Sequence, residues 1–497
     1  MENFRKYWII SVIGLATISL IPLLAPRFET WDFAVTEMGF LRHDYAYFAG
    51  FKECHQVRYL ILLALDQLSL LGLSPKIVTN VLSILCLVGL SRQVFVFLSQ
   101  RYKFTWEASM VGAMGVLAFP VWHTLVSGAV FSYVLFLFLF MWAVNQWWRG
   151  NYFRAGILLL SSLSYYSLFA FAVGFAASEF VLTVDISNWK KKFIQTTVFS
   201  AILLAGYIIL EKTVNIHEVS GTYNSFGFEH ISSFVYYGIV SLFIIIIARY
   251  VCDKLPSGDF REIFIRYVLS FLVLGLFAVL AYWAVGKSMR YFAFGSYGAR
   301  HTYLTCIPFA LGMALGVDTV SKLWSRKSAI IVVGFVLLLL VILQHQGYSH
   351  KAAELIYRDI IAQEIGLQEE PDSGYVAIVP VGFKAPRHIH YPGLARALYR
   401  AFGKTAWMLN DPWRRSFDPT PENMEALFAK EDPRGRIFTM TDQVTGDAYT
   451  KYELHLSDYY QEGRFWYWWY YLTKDYDSFS PKLILTQKIP SLSQAKG

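Results

Sequence analysis

Tyr59–Leu73, YLILLALDQLSLLGL, decides how the rest of the chain is threaded. It is apolar enough to enter a bilayer, yet it carries Asp66 near its middle and is shorter than the roughly 20 residues of a spanning helix. Other apolar runs lie near residues 7–25, 77–98, 108–126, 129–147, 153–166, 167–184, 194–211, 231–249, 267–286, 302–320 and 328–344, about eleven spans in all by the length criterion. If Tyr59–Leu73 lies in the interface, Arg5 and Lys6, Arg101 and Lys103, Arg149 and Arg154, Lys190–Lys192, Lys254 with Arg261, and Lys322 with Arg326 and Lys327 gather on one side. If it spans, everything after it flips and the lysine run moves outside. The positive-inside rule favours the interfacial reading. A carboxylate at mid-bilayer costs at least about 2.5 kcal/mol, so Asp66 is expected to stay wet on an interfacial helix. Residues 26–76 then form one large external loop.

Composition points the same way. Of 497 residues, 55% are hydrophobic and 16% charged, and the mean hydropathy is +0.40, which selects a polytopic membrane protein over a soluble one. The net charge of +8 sits in short loops between apolar runs, so it reports topology and gives nucleic-acid binding no support. Cys54, Cys86, Cys252 and Cys306 lie in separate segments without CxxC spacing, which indicates neither a metal knuckle nor a disulfide framework. The N-terminus has a basic start and an apolar core but no clear small-residue cleavage site, so it reads as a retained first span.

Within the external loop, Pro26–Arg58 (PRFETWDFAVTEMGFLRHDYAYFAGFKECHQVR) carries Glu29, Asp32, Glu37, Asp44 and Glu53 among many aromatics. Read as a helix, it puts Phe33, Glu37, Phe40, Leu41, Asp44, Phe48 and Phe51 on one stripe. Glu37 and Asp44 then stand about 10 Å apart on the apolar side. Burial there raises a carboxylate's pKa and readies it as a base. Alternatively Gly39 breaks the helix and leaves both in solvent.

Two further external loops stand out. His217–His230 is polar and glycine-containing, as a mobile or substrate-gated loop would be. Lys287–His301, KSMRYFAFGSYGARH, brings Lys287, Arg290, Arg300 and His301 to the outer face against the topology rule. That points to a specific anion partner, or else to headgroup anchoring. Residues 346–497 are polar and turn-rich, with strands expected at Tyr375–Val381, Arg436–Thr441 and Leu483–Gln487, a helix through Leu394–Phe402, and an aromatic run FWYWWYY at 465–471. This reads as a separate soluble α/β domain, placed outside by the odd span count. No N-x-S/T sequon occurs, which suits a bacterial inner membrane and its periplasmic face.

The chain carries no G-x-S-x-G elbow, H-E-x-x-H pair or Walker A loop. The pair of His in Arg387–His390 (RHIH) reads as solvated loop. An inside N-terminus, carboxylates in the first external loop, LLGLSPKIVTNVLSILCLVGL from Leu70 to Leu90 and RHTYLTCIPFALGMALG from Arg300 to Gly316 together resemble the GT-C superfamily of integral-membrane glycosyltransferases over residues 1–345. Arg300, His301 and Pro308 stand for that family's late "RY-lp-lP" phrase.

The resemblance implies transfer of a sugar from a polyprenyl-phosphate or -diphosphate donor to a glycan, lipid or protein acceptor on the outer face. It implies a first-loop carboxylate as general base, matched here to Asp44 with Glu37 or Asp32 as second carboxylate. Arg290, Arg300 and His301, with Lys287 behind them, would stabilise the leaving phosphate. Many members carry adjacent acidic residues in this loop, whereas these are spread out, so a divalent cation such as Mg or Mn stays open and no metal ligand is assigned. The rival readings are a transporter or flippase of a lipid-linked or anionic solute, an envelope polysaccharide polymerase or ligase working through late-loop arginines, and a membrane scaffold with a binding domain.

Overall fold

The computed structural model describes residues 2–24, 56–126, 130–162, 167–185, 187–214, 231–255, 258–283, 297–368, 375–380, 407–408, 449–455, 469, 473 and 482–489. In chain order the helices are α1 (Glu2–Leu20), α2 (Gln56–Leu70), α3 (Pro75–Gln100), α4 (Trp106–Leu117), α5 (Phe131–Trp148), α6 (Tyr152–Ser162), α7 (Ser167–Thr183), α8 (Trp189–Val214), α9 (Ser232–Lys254), α10 (Asp259–Trp283), α11 (Cys306–Leu323) and α12 (Arg326–Gln368). Among the described residues three 3₁₀ turns, Ile21–Leu24, Trp122–Val126 and Tyr297–Thr305, follow α1, follow α4 and precede α11.

The chain is a helical membrane protein. Six helical stretches among the described residues, Pro75–Gln100, Phe131–Trp148, Ser232–Lys254, Asp259–Trp283, Ala299–Leu323 and Lys327–Gln363, are long and apolar enough to cross a bilayer. Ile13–Leu24 and Leu168–Thr183 are apolar but shorter. Helix α9 shows why burial alone does not sort these elements. Its most apolar window has no buried residue, and its isoleucines Ile245, Ile246 and Ile247 are all exposed, as expected of a helix whose surroundings are hydrocarbon.

The bundle packs by pairs, α3 with α4 and α5, α4 with α11, α7 with α10, and α11 with α12. Polar side chains tie these pairs inside the core, where an unpaired group is costly. Asn145 Nδ2 on α5 donates to Gln93 Oε1 and to the Gln93 carbonyl on α3, both at 2.9 Å, and Ser91 Oγ donates to the Ala113 carbonyl at 2.8 Å. Helices α4 and α11 approach closely at Gly112, where a Cβ would stand 2.6 Å from the Ala310 carbonyl oxygen.

Three expectations change. The apolar run 108–126 is not one helix: α4 ends at Leu117 and the chain turns at Pro120, which lacks the N–H a continuing helix needs, before the Trp122–Val126 turn. Asp66 is not wet. It is fully buried on α2 beside Leu65, while Leu60 and Leu70 of the same helix are exposed. The last span does not stop at 344. Helix α12 runs 43 residues through the expected boundary at 345, because QHQGYSHKAAELIYRDIIAQEIGLQ holds no proline and many good helix formers.

Beyond α12, β1 (Tyr375–Pro380), β2 (Trp407–Met408), β3 (Tyr449–His455) and β4 (Lys482–Ile489) form one sheet in the order β2-β1-β3-β4. Strand β1 is parallel to β2 and β3, and β3 is antiparallel to β4 with a bulge at Lys451/Tyr452. Strands β1 and β4 fall where expected, whereas Arg436–Thr441, Leu394–Phe402 and nearly all of FWYWWYY lie outside the described residues.

Candidate functional site

The site begins with the start of α3. Ser74 caps it, its hydroxyl accepting from the Ile77 N–H at 3.5 Å, and Pro75 occupies a first-turn position where no N–H is missed. That fixed start sets Lys76 and Asn80, one turn apart, on a common face. Both are buried. Lys76 Nζ donates to Asn80 Oδ1 at 2.8 Å and to the Val126 carbonyl at 2.6 Å. Asn80 Nδ2 donates to the Leu23 carbonyl at 2.5 Å. Both carbonyls end 3₁₀ turns, where orphan acceptors gather and a positive charge is favourable. Two side chains of α3 thus close the ends of two other segments.

The Trp122–Val126 turn is buried throughout. Trp122 Nε1 donates to the Val116 carbonyl at 2.5 Å, and the Thr124 hydroxyl donates to the Val121 carbonyl at 2.8 Å while also bonding the Tyr303 hydroxyl. Tyr303 packs on Trp122 at 5.1 Å between ring centroids and edge-on to Tyr133 at 5.8 Å. His123, with no exposed surface, meets Tyr348 edge-on at 6.5 Å. Helix α12 passes so close that a Cβ at Gly347 would lie 2.6 Å from His123 Cγ and Nδ1. One turn earlier, Gln344 Nε2 donates to the Ser19 carbonyl and His345 Nε2 to the Ile18 carbonyl, both at 2.7 Å, which binds α12 to the end of α1.

The Tyr297–Thr305 turn carries two expected site residues. Arg300 and His301 are half-buried, and the His301 ring lies 5.8 Å from Tyr282 at the end of α10. Tyr303 on the same turn joins them to the Trp122–Val126 turn. Asp32, Glu37, Asp44, Lys287 and Arg290 lie outside the described residues, as do His217–His230 and RHIH.

The described part of the site is therefore a polar layer of one ammonium, one guanidinium, three imidazoles, phenols and amides. Lys76, His123, Tyr303, Gln344, His345 and Tyr348 were not singled out by sequence reasoning. The available signal was Lys76 one residue after a Ser-Pro helix start, and polar residues at the ends of apolar runs. These groups can donate hydrogen bonds to an anion and stabilise developing negative charge. Among the described residues no group of three or more His, Cys, Asp or Glu side chains stands where it could hold a metal ion. Cys86, Cys252 and Cys306 are buried thiols with no disulfide. No known protein family, characterised protein or solved structure matches this chain.

Proposed function

We propose that the chain is a GT-C-like glycosyltransferase of the bacterial inner membrane, moving a sugar from a polyprenyl-phosphate-linked donor to an acceptor on the extracytoplasmic face. In this reading about eleven spans follow a cytoplasmic N-terminus, as the length rule counts them, and residues past α12 form an extracytoplasmic α/β domain. Asp44, with Glu37 or Asp32 as second carboxylate, takes the proton of the acceptor hydroxyl, whose oxygen attacks the anomeric carbon. The bond from that carbon to the phosphate oxygen breaks, and the polyprenyl phosphate leaves with the electron pair. Arg300 and His301, with Arg290 and Lys287, hold the phosphate as its charge grows.

One observation carries the reading. The Leu23 end of the first span, which leads into the carboxylate loop, and the Tyr297–Thr305 turn, which ends the basic loop, are tied to the same buried turn at Trp122–Val126 by Lys76, Asn80 and Tyr303. The described segments that border these two loops thus meet at one buried turn, which supports a shared site.

The test is transfer of labelled sugar from a polyprenyl-phosphate donor in membranes, comparing wild type with Asp44→Asn and Arg300→Gln at matched expression. Loss of transfer in Asp44→Asn with donor binding retained supports the assignment, and unchanged transfer overturns it. A second reading has its own observation: Lys76, His123 and His345 are ionisable groups buried among apolar helices, as ion-coupled carriers place them. A carrier would keep solute uptake in Asp44→Asn and show no sugar transfer in wild type across a panel of donors.

A further inference from the structure

A cavity of about 530 Å³ opens between α5, α6, α7 and α8, within the size range of ligand pockets. It is remote from the polar layer. Helix α3 begins at Pro75 and ends beside Arg101, so about 38 Å of helix separates Lys76 from the Arg101 end where the cavity lies. Its depth is apolar, with Phe140, Ala143, Phe175 and Leu159 on the walls. From Phe140 to Trp147 it follows α5 for about 10 Å at helical rise.

The mouth has a different chemistry. Glu179, Lys192 and Thr196 reach it. The Glu179 carboxylate is already occupied: Arg101 Nε donates to Oε2 at 2.7 Å and Arg101 Nη2 pairs with Oε1. Lys192 has no such partner among the described residues, and exposed Lys190 and Lys191 precede it in the first turn of α8. Exposed Trp147 and Tyr152 line the cavity, and exposed Trp189 opens α8 three residues before Lys192, the residue types that seat at a headgroup layer.

We propose that this cavity is a binding site for an anionic phospholipid, with an acyl chain lying between Phe140 and Phe175 and the headgroup phosphate on Lys192. Charge complementarity selects the occupant: the acid in the mouth is neutralised internally, and the lysines are left to pair with a phosphate at the membrane surface. The proposal stands on the membrane character of the helices and is independent of the transferase reading.

The experiment uses the full-length protein in detergent micelles, titrated with phosphatidylglycerol or phosphatidylcholine of identical chains, with bound lipid counted by native mass spectrometry. One lysine near an anionic headgroup corresponds to about a fivefold preference. Wild type is expected to retain phosphatidylglycerol at least that much more strongly. Lys192→Gln removes the preference and leaves phosphatidylcholine retention unchanged, while Ala176→Phe, at the cavity wall, lowers retention of both. Equal retention of the two lipids by wild type, or an unaltered preference in Lys192→Gln, overturns the proposal, and Lys192→Gln decides alone if Ala176→Phe does not fold. Displacement of phosphatidylglycerol by an equal amount of polyprenyl phosphate also overturns it, because the cavity would then be a donor-lipid site.

Discussion

Adding one methyl group at Gly112 tests how α4 and α11 are held together. A Cβ there would stand 2.6 Å from the Ala310 carbonyl oxygen and would also strike Leu98 Cδ1. The Leu98 tip can turn away, but the carbonyl belongs to the backbone of α11 and moves only with that helix. Overpacking of this kind costs about 1–3 kcal/mol, while replacing glycine by alanine within a helix returns about 0.8–1.0 kcal/mol. Gly112→Ala is therefore expected to lose between about 0 and 2 kcal/mol as the sum of those two effects. Gly316 on α11 is the control, since a Cβ there meets nothing within 4 Å. Gly316→Ala keeps the propensity gain without the clash. The two variants should differ by the clash alone, about 1–3 kcal/mol, read as the difference in unfolding midpoints of the full chain in one detergent. If Gly112→Ala is as stable as Gly316→Ala, the close approach of α4 to α11 is not as described and the reasoning fails.

Asn80→Ala leaves the Leu23 carbonyl without its donor and removes an acceptor from Lys76, which should cost about 1–3 kcal/mol per orphaned group and appear as a lowered thermal midpoint. Tyr102, beyond the end of α3, is fully buried and bonds Ser178 and Ser270, and burial pushes its phenol up to about 12 from 10.0. The native state holds this proton more tightly than the unfolded chain, so the contribution is complete below pH 10.0 and is lost as pH rises through about 12. Wild type should shed about 2–3 kcal/mol more than Tyr102→Phe across that window, measured as the difference between their stability–pH slopes. Arg101→Lys loses the two-pronged contact with Glu179 while keeping the charge. Because both side chains are about a quarter to a third exposed, the loss should be about 1 kcal/mol and should shrink in high salt, as thermal shifts at two ionic strengths will show.

The six long apolar helices were legible because hydropathy is a local property. Pro75–Gln100 and Phe131–Trp148 fall within a few residues of their expected places. Where the reading failed, the cause lay in what an apolar window averages away. Pro120 was in plain view, yet the run 108–126 stays apolar on both sides of it, and the break surfaces only as the Trp122–Val126 turn. Helix α12 continues past 345 although hydropathy falls there, because the polar stretch is packed: Lys351 and Arg358 are buried along with Leu355, Ile356 and Ile361. The burial of Asp66 was unreadable for the opposite reason, since a lone carboxylate in a leucine-rich helix gives no local sign of which face packs. Strand β3 was missed because YTKYELH alternates polar and apolar residues over too short a run to stand out in a turn-rich tail.

The polar layer shows the limit most sharply. Lys76 and Asn80 are neighbours at helical spacing, and that much is sequence. What makes them a structural unit is the Val126 carbonyl 50 residues on and the Leu23 carbonyl 57 residues back. Neither acceptor has a side-chain signature, because any residue supplies a carbonyl. The chemistry of the two ends of α3 separates for the same reason. At the Arg101 end the charges find each other in pairs, Arg101 with Glu179 and Arg266 with Asp185 and Glu262, and such pairs are written in the sequence as opposite charges. At the Lys76 end the ammonium donates to two neutral oxygens, Asn80 Oδ1 and the Val126 carbonyl, and a carbonyl leaves no mark in the sequence. Replacing Lys76 with Met would remove the charge and take this donor from both Asn80 Oδ1 and the Val126 carbonyl, so its effect on transfer is interpretable only beside Asn80→Ala, which breaks the Lys76–Asn80 bond, spares the Val126 bond and leaves the charge in place.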